Sequence, residues 1–565
     1  MTAPYYKLVK SLRRAFPQPV SDREHDAYFV FSIMRALDQV DAMKSVSPVL
    51  GEPRELDFEA ARQTRIASEP MPLESVTEQL VDHLSGAFVW GHPRAQINVI
   101  PPPTIPGIIG SLLPSIYNPN LASEESSRLV ALSEVEVSAM AADLVGYDPS
   151  EAQGVFTFGG TGTLLYAARI GLEKASPGSM KSGIREPAVI VASECAHYAC
   201  RTIAGWMGLG EDSVIEVPSS PENEVRTCLL ESMCRDALKS GQKIAMIVAT
   251  MGTTDAFGLD DLAGIRDIRD RLVDEFSLDY VPHIHADAVI GWAWSVFNDY
   301  DFDQNPQGFR PRTVRSLAGT QRRISQLHLS DSLGIDFHKT GFTPYTSSLF
   351  LSKSGDDLSL IARDSEAMPY LFKSGQYHPG KYTLETSRSG AGPMAALGNL
   401  LLLGRDGLQA LLGHLVTMAE SLSEHLEGHA ATTVLNSENF GPVTLFRVYP
   451  DDVDTFTISK REMTDPAFRE TLQKHNDYNR RIFAEIQAEA LQGRGVVLSL
   501  TDCYRETAYG EPIVALKSYI MSPFSDEKYV AAVLESVCKA RETLKTNSQV
   551  GLPNSQADPP RPPSA

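Results

Sequence analysis

The chain has 565 residues, of which 42% are hydrophobic and 22% charged, an ordinary globular composition with room for a large buried core. Its formal net charge of -20 disfavours a nucleic-acid or anionic-membrane partner. No run of about eighteen apolar residues is present, so no membrane span is expected. The six cysteines (Cys195, Cys200, Cys228, Cys234, Cys503 and Cys538) form no CxxC pair. That usage fits a reducing cytoplasm better than a disulfide framework. Met1 to Lys7 lack the apolar core of a signal peptide, so a cytoplasmic location is expected. Cys195 and Cys200 flank His197, but no second ligand pair has zinc-like spacing, and no metal is expected.

Residues 1–124 read as a helical and extended segment. Apolar periodicity at 27–31 and 76–81 predicts helices, and Ile100-Pro101-Pro102-Pro103-Thr104 predicts an extended connector. Over 125–395 the pattern changes to short apolar strands, at 188–192, 244–249 and 283–287, alternating with helical spacing such as 259–276. Continuous apolar strands separated by helices predict an α/β domain with a mainly parallel sheet buried on both faces. A smaller α+β domain is expected over 396–545. It has a long helix at 394–426, strands at 444–448, 496–500 and 515–521, a helix at 466–491 and a last helix. The stretch 546–565, ending in Pro559-Pro560-Arg561-Pro562-Pro563, reads as a disordered tail.

Several features in the middle region bear on chemistry. Gly159-Gly160-Thr161-Gly162-Thr163 opens a helical run, and glycines there expose backbone N–H groups at the positive end of a helix dipole. Such a turn is either an anion seat, better suited to a phosphate monoester than a dinucleotide, or a close-packed turn. His197 follows one strand and is either a ring that stacks on a flat ligand or a surface histidine. Thr250-Met251-Gly252-Thr253-Thr254 follows the next strand, so its hydroxyls either meet a ligand or cap a turn. Asp287 ends a buried strand, where open α/β sheets bind ligands. A carboxylate there either caps a loop or pairs with a protonated pyridine nitrogen. His285, two residues earlier, either orients Asp287 or is a satisfied core histidine. Lys339 sits in Asp336-Phe337-His338-Lys339-Thr340-Gly341, just ahead of the β-prone run Ser347-Ser348-Leu349-Phe350-Leu351. A long cation beside a buried strand is explained if an aldehyde cofactor consumes its charge by forming a Schiff base.

These motifs occur in an order that resembles the PLP-dependent amino acid decarboxylases of the glutamate, aromatic and diaminobutyrate decarboxylase group (group II). The matches are Phe158-Gly159-Gly160-Thr161, Cys195-Ala196-His197-Tyr198, Met251-Gly252-Thr253-Thr254, His285-Ala286-Asp287-Ala288 and His338-Lys339-Thr340-Gly341. The resemblance runs from about residue 92 to 395 and more faintly beyond. It implies the aspartate-aminotransferase-like fold type I, pyridoxal 5'-phosphate as cofactor, a homodimer, and an internal aldimine on Lys339. It further implies that Asp287 pairs with the ring nitrogen and that His197 and Ala288 cover the two ring faces. Gly160, Thr161 and Gly162 would hold the phosphate, Thr254 would contact the cofactor, and His338 would lie near the departing carboxylate. In this family a mobile loop after the lysine often carries a proton-donating tyrosine. Tyr377 is the candidate, with Tyr370 next. Ser387, in Thr386-Ser387-Arg388, resembles an element that completes the neighbouring cofactor pocket.

The activity so implied is decarboxylation of an L-amino acid, a small-molecule substrate, to an amine and carbon dioxide. The Asn118-Pro119-Asn120 region looks nearer to glutamate, aspartate or diaminobutyrate decarboxylases than to aromatic ones. Rival readings are an aromatic amino acid decarboxylase, a PLP-dependent carbon–carbon lyase resembling sphingosine-phosphate lyase, and a catalytically silent scaffold. Three departures stand out. A long segment at 297–326 is expected to insert a loop near the pocket mouth. Gly162 stands where related sequences often carry an acid, and Lys517 where an arginine is frequent.

Overall fold

The computed structural model describes residues 3–369, 371–451 and 453–550. Seven strands form the large sheet: β1 (Gln153–Thr157), β2 (Ala188–Ser193), β3 (Val214–Val217), β4 (Lys243–Thr250), β5 (His283–Asp287), β6 (Ser332–Asp336) and β7 (Ser348–Ser352). Their spatial order is β1-β7-β6-β5-β4-β2-β3. Every residue of β2, β5, β6 and β7 is buried, as strands covered on both faces require. The β2–β3, β2–β4, β4–β5 and β5–β6 pairs are parallel, whereas β7 lies antiparallel between β1 and β6. The mainly parallel fold type I sheet is thus observed. β1, β3 and β6 lacked a distinct apolar run in the sequence. Gly154 in β1 and Gly334 in β6 dilute the hydrophobic signal, and β3 is only partly buried.

The helix Gly160–Ala175 crosses one face of the sheet and packs through Leu164, Ala167, Ala168, Ile170 and Leu172. Two glycines set its closeness. A Cβ on Gly171 would collide with the Ala245 carbonyl oxygen of β4, and one on Gly334 of β6 would collide with the Thr163 hydroxyl. This helix starts at the site, so its seating on the sheet fixes the position of its first turn.

The smaller region contains β8 (Thr432–Val434), β9 (Val443–Val448), β10 (Ser499–Thr501) and β11 (Ala515–Tyr519) in the antiparallel order β10-β11-β9-β8. The long helix Ala391–Glu427 leads into it, interrupted at Gly404, where φ is 56° and ψ -168°. Arg447 of β9 is fully buried, and its guanidinium meets Glu462 at 3.2 Å and Asn476 at 2.8 Å. A buried charge needs such partners, because burial without them costs several kcal/mol. Lys517 of β11 reaches across to Asp255, 2.7 Å away in the loop after β4, tying the small sheet to the large one.

Two expectations need correction. The segment 297–326 is a loop only in its first half, 298–310: the second half is the helix Pro311–Ile324, an amphipathic element anchored by Arg312 to Glu420 and by Arg323 to Glu224 at 2.6 Å. Its Arg and Gln residues form the polar face of that helix, which is why composition alone suggested a loop. The final helix, Glu527–Val550, runs through 546–550, where a disordered tail was expected. The remainder of that tail, 551–565, lies outside the described residues.

Replacing Gly171 by Ala is expected to lower stability by about 1–3 kcal/mol, because a methyl group must be forced between helix and sheet. Calorimetry should show a lower unfolding midpoint, with weaker retention of anything bound at the helix start. An unchanged midpoint would mean that the helix can shift freely.

Candidate active site

The strand directions gather the motifs. β1 is antiparallel to β7 and β7 antiparallel to β6, so β1 runs with β6, β5, β4 and β2. The C-terminal ends of these five strands share one edge, where open α/β sheets place ligands. Gly159 and Gly160 follow β1, His197 follows β2, Thr253 and Thr254 follow β4, Asp287 ends β5, and Lys339 lies three residues past β6.

Lys339 belongs to the four-residue helix Phe337–Thr340. Its Nζ lies 2.9 Å from Oδ2 of Asp336, the last residue of β6. Asp336 is 1% exposed, and its Oδ1 accepts a 2.6 Å hydrogen bond from Ser348 Oγ. Burial works against the Lys339 ammonium, but Asp336 beside it and Asp287 behind it outweigh burial and raise the amine's pKa.

Asp287 shows the opposite balance. It is buried, and its Oδ1 has no hydrogen-bond partner among the described residues. Burial pushes its carboxyl up to about 6, Lys339 pulls it down, and Asp336 pushes it up again. The mutual effects of Lys339 and Asp287 place both in one electrostatic environment. A buried carboxylate oxygen without a donor is a fitting seat for the N–H of a protonated ring nitrogen.

His197 is half-buried. Its Nδ1 accepts from the Ala199 backbone N–H at 3.2 Å, and burial followed by the charge on Lys339 lowers its pKa, favouring a neutral flat ring. Ala288 is fully buried at the end of β5. His338 is buried, and its pKa is lowered first by burial; its ring lies 4.1 Å from that of Tyr345, and its Nε2 is 3.6 Å from Asp336 Oδ2.

Just before the helix Gly160–Ala175, Gly159 has a φ of 120°, a backbone state that L side chains rarely adopt. A Cβ on Gly160 would sit 3.1 Å from Val289 Cγ1 and 3.2 Å from Asp336 Oδ2, so glycine keeps this corner open. Thr161 is half-buried, and Gly162 is buried against Thr157. Thr254 is half-buried on the same edge. His285, whose Nδ1 shares a 2.8 Å hydrogen bond with Ser332, sits behind Asp287 in the core.

Two predicted residues stand apart from this cluster. The Tyr377 hydroxyl donates to Glu134 Oε2 at 2.7 Å, and Glu134 is itself paired with the buried Arg388. Burial and the Glu134 charge hold that phenol well above its ordinary pKa. Ser387 is exposed and accepts from Asn120 Nδ2 at 3.1 Å. Tyr370 lies outside the described residues. Conversely, Asp336 and Tyr345 were not singled out from sequence. The Tyr345 phenol is close enough for Lys339 to alter its charge balance. A carboxylate three residues before a lysine was the available signal for Asp336.

A match to the pyridoxal-dependent decarboxylase conserved domain spans residues 59–448, and the chain belongs to that family. It is a carboxy-lyase whose cofactor is pyridoxal 5'-phosphate. The cluster fits that group: an amine, an unpartnered carboxylate oxygen, a flat neutral ring and an open helix start. The chain is 24% identical over 435 residues to an L-2,4-diaminobutyrate decarboxylase of Acinetobacter baumannii, covering 73% of this chain and 79% of that one. It is 22% identical over 570 residues to an aspartate 1-decarboxylase of Aliivibrio fischeri, covering 92% and 96%. Among solved structures, mouse CSAD matches with a TM-score of 0.75 at 17% identity, over 92% of this chain and 99% of that one. The glutamate decarboxylase domain of a Vibrio parahaemolyticus protein, named as diaminobutyrate-pyruvate transaminase and L-2,4-diaminobutyrate decarboxylase, matches at 0.73 and 17%, over 96% and 100%. No described helix is long and apolar enough to cross a membrane.

The raised pKa of Asp287 has a consequence for the cofactor-free protein. A carboxyl whose folded pKa lies above its unfolded value stabilises the fold at acid pH, and that contribution is lost as pH rises through about 6. Asp287→Asn removes this dependence. Above pH 6 the cofactor-free variant should therefore be more stable than wild type by about 3 kcal/mol, with the gap closing below about pH 4. Denaturant titrations across pH check this; a variant less stable than wild type above pH 6 contradicts it.

Proposed function

We propose that this chain decarboxylates an L-amino acid with an acidic or diamino side chain, with aspartate, glutamate and 2,4-diaminobutyrate as first candidates, and that Lys339 attaches the cofactor through its amine. The observation that carries the reading is the juxtaposition of a lysine amine with an unpartnered, buried Asp287 oxygen at the sheet edge. Relatives named as diaminobutyrate and aspartate decarboxylases support the substrate class.

Bound at this edge, the cofactor supplies a protonated pyridine ring that accepts the electron pair left when carbon dioxide departs. Asp287 keeps the proton on the ring nitrogen. His197 and Ala288 would hold the cofactor ring between them and so help to orient the bound substrate. The N–H groups of Gly160, Thr161 and Gly162 hold the phosphate at the helix start, and Thr254 borders the ring. His338 stands beside Lys339 near the leaving carboxylate. Tyr377 remains the candidate proton donor, and in that role its hydroxyl exchanges Glu134 for a substrate carbon.

The working form is proposed to be a cytoplasmic homodimer, with Ser387 bordering the neighbouring pocket. The N-terminal helices Arg23–Ala42 and Leu73–Asp82 enclose an apolar cleft of about 410 Å³ lined by Phe29, Ile33, Leu73 and Leu80, and leave Phe31, Met34 and Leu37 exposed. Apolar surface of this kind is usually covered in an assembly.

The test is a screen for carbon dioxide release from the twenty common amino acids, L-2,4-diaminobutyrate and cysteine sulfinate. Acidic or diamino substrates should give the highest kcat/KM, and Lys339→Ala should lower it by at least about a thousandfold, roughly 4 kcal/mol. Preference for aromatic amino acids, or aldehyde release from a phosphorylated amino alcohol, would overturn the substrate class or the reaction. Sedimentation should give twice the chain mass of 61.8 kDa; a monomer at micromolar concentration would refute the dimer.

A further inference from the structure

Asp336 touches both halves of the cofactor seat. One oxygen lies 2.9 Å from Lys339 Nζ, and the same oxygen lies 3.2 Å from the point where a Cβ on Gly160 would be. The carboxylate therefore stands between the attachment amine and the helix start that receives an anion. It is 1% exposed, so water screens neither interaction. Other charged or titratable groups face Lys339 from Asp287 on β5, His197 after β2, and His338 and Tyr345 flanking the same turn. Among the described residues, Asp336 is the group in direct ion pair with its amine.

We propose that Asp336 is a counter-ion lock: it holds Lys339 as an ammonium in the empty enzyme and presents negative charge to the anion seat, thereby limiting cofactor loading. An ammonium cannot attack a carbonyl. Lys339 must first release a proton to solvent. Its freed lone pair then bonds to the aldehyde carbon, and the aldehyde oxygen leaves as water. Each ion pair that favours the ammonium lowers the fraction of reactive amine at neutral pH. Once the nitrogen is bonded to carbon, Asp336 has lost its cation and faces an added phosphate. Ser348 Oγ, at 2.6 Å, then remains as the hydrogen-bond donor to Asp336, and His338 Nε2 stands 3.6 Å away. Asp336 acts through Lys339, as a positioning residue.

This inference rests on Lys339 being the attachment residue, and the test separates the two. Cofactor-free Asp336→Asn is mixed with pyridoxal 5'-phosphate across a pH series, and the rate of appearance of the linked chromophore is followed. The expected result is a pH–rate profile displaced to lower pH, with loading about tenfold faster at neutral pH, the equivalent of one pKa unit. Pyridoxal, which lacks the phosphate, should gain less, because it escapes only the lock on the amine. Ser348→Ala removes a donor that disperses the Asp336 charge and should slow loading, giving a change of opposite sign should the Asn variant fold poorly. Profiles that coincide with wild type, or slower loading in Asp336→Asn, would overturn the lock. A covalent chromophore that persists in Lys339→Ala would instead overturn the attachment reading itself.

Discussion

A single ammonium set between two buried carboxylates is the constraint on which this structure turns. Asp287 lies opposite Gly334 in the parallel β5–β6 register, and Asp336 follows two residues further along β6, so the two acids are brought to neighbouring strand ends. Burial and the neighbouring Asp336 resist ionisation of Asp287, and a cation beside it relieves that resistance. Lys339 is placed to do so. Burial pushes the Asp287 carboxyl up to about 6 against the downward pull of Lys339, with Asp336 adding to the rise. A ligand bound at this edge would rearrange this balance.

The rest of the fold serves that corner. The parallel order brings five strand ends to one edge. The helix Gly160–Ala175 is drawn onto the sheet by contacts that only glycine at 171 and 334 permits, and this sets its first turn against Val289 and Asp336. The small sheet closes on the same edge through Lys517, whose ion pair with Asp255 fixes the loop that carries Thr253 and Thr254. On the far side, Glu134 accepts from the Phe156 backbone N–H at 2.7 Å and pairs with Arg388, anchoring the end of β1 just before Phe158 and Gly159. Shifts in any of these anchors would be transmitted to the position of the site.

Much of this was legible in the residues. The apolar runs at 188–192, 244–249 and 283–287 announced fully buried strands, and strand-end polar groups such as Asp287 and Thr253 announced a ligand edge. The order of His197, Asp287 and Lys339 pointed to one family. What escaped reading depends on contacts between distant residues. β1 and β6 are broken by glycines whose purpose appears only when Ser138 and Thr163 pack against them. Asp336 is the exception: it lies only three residues before Lys339, and its pairing appears when the short helix turns the lysine back onto it. The position of Tyr377 depends on Glu134, more than two hundred residues away, and the Arg-rich helix Pro311–Ile324 shows its partner face only once Glu420 and Glu224 are in place.

The most direct test of the central claim is chemical. The protein is incubated with pyridoxal 5'-phosphate, reduced with borohydride, digested and analysed by peptide mass spectrometry. The account predicts one dominant phosphopyridoxyl adduct, on the peptide bearing Lys339, and much less of it in Asp287→Asn. A dominant adduct on another lysine, or labelling spread over surface lysines with Lys339 unmodified, would contradict it.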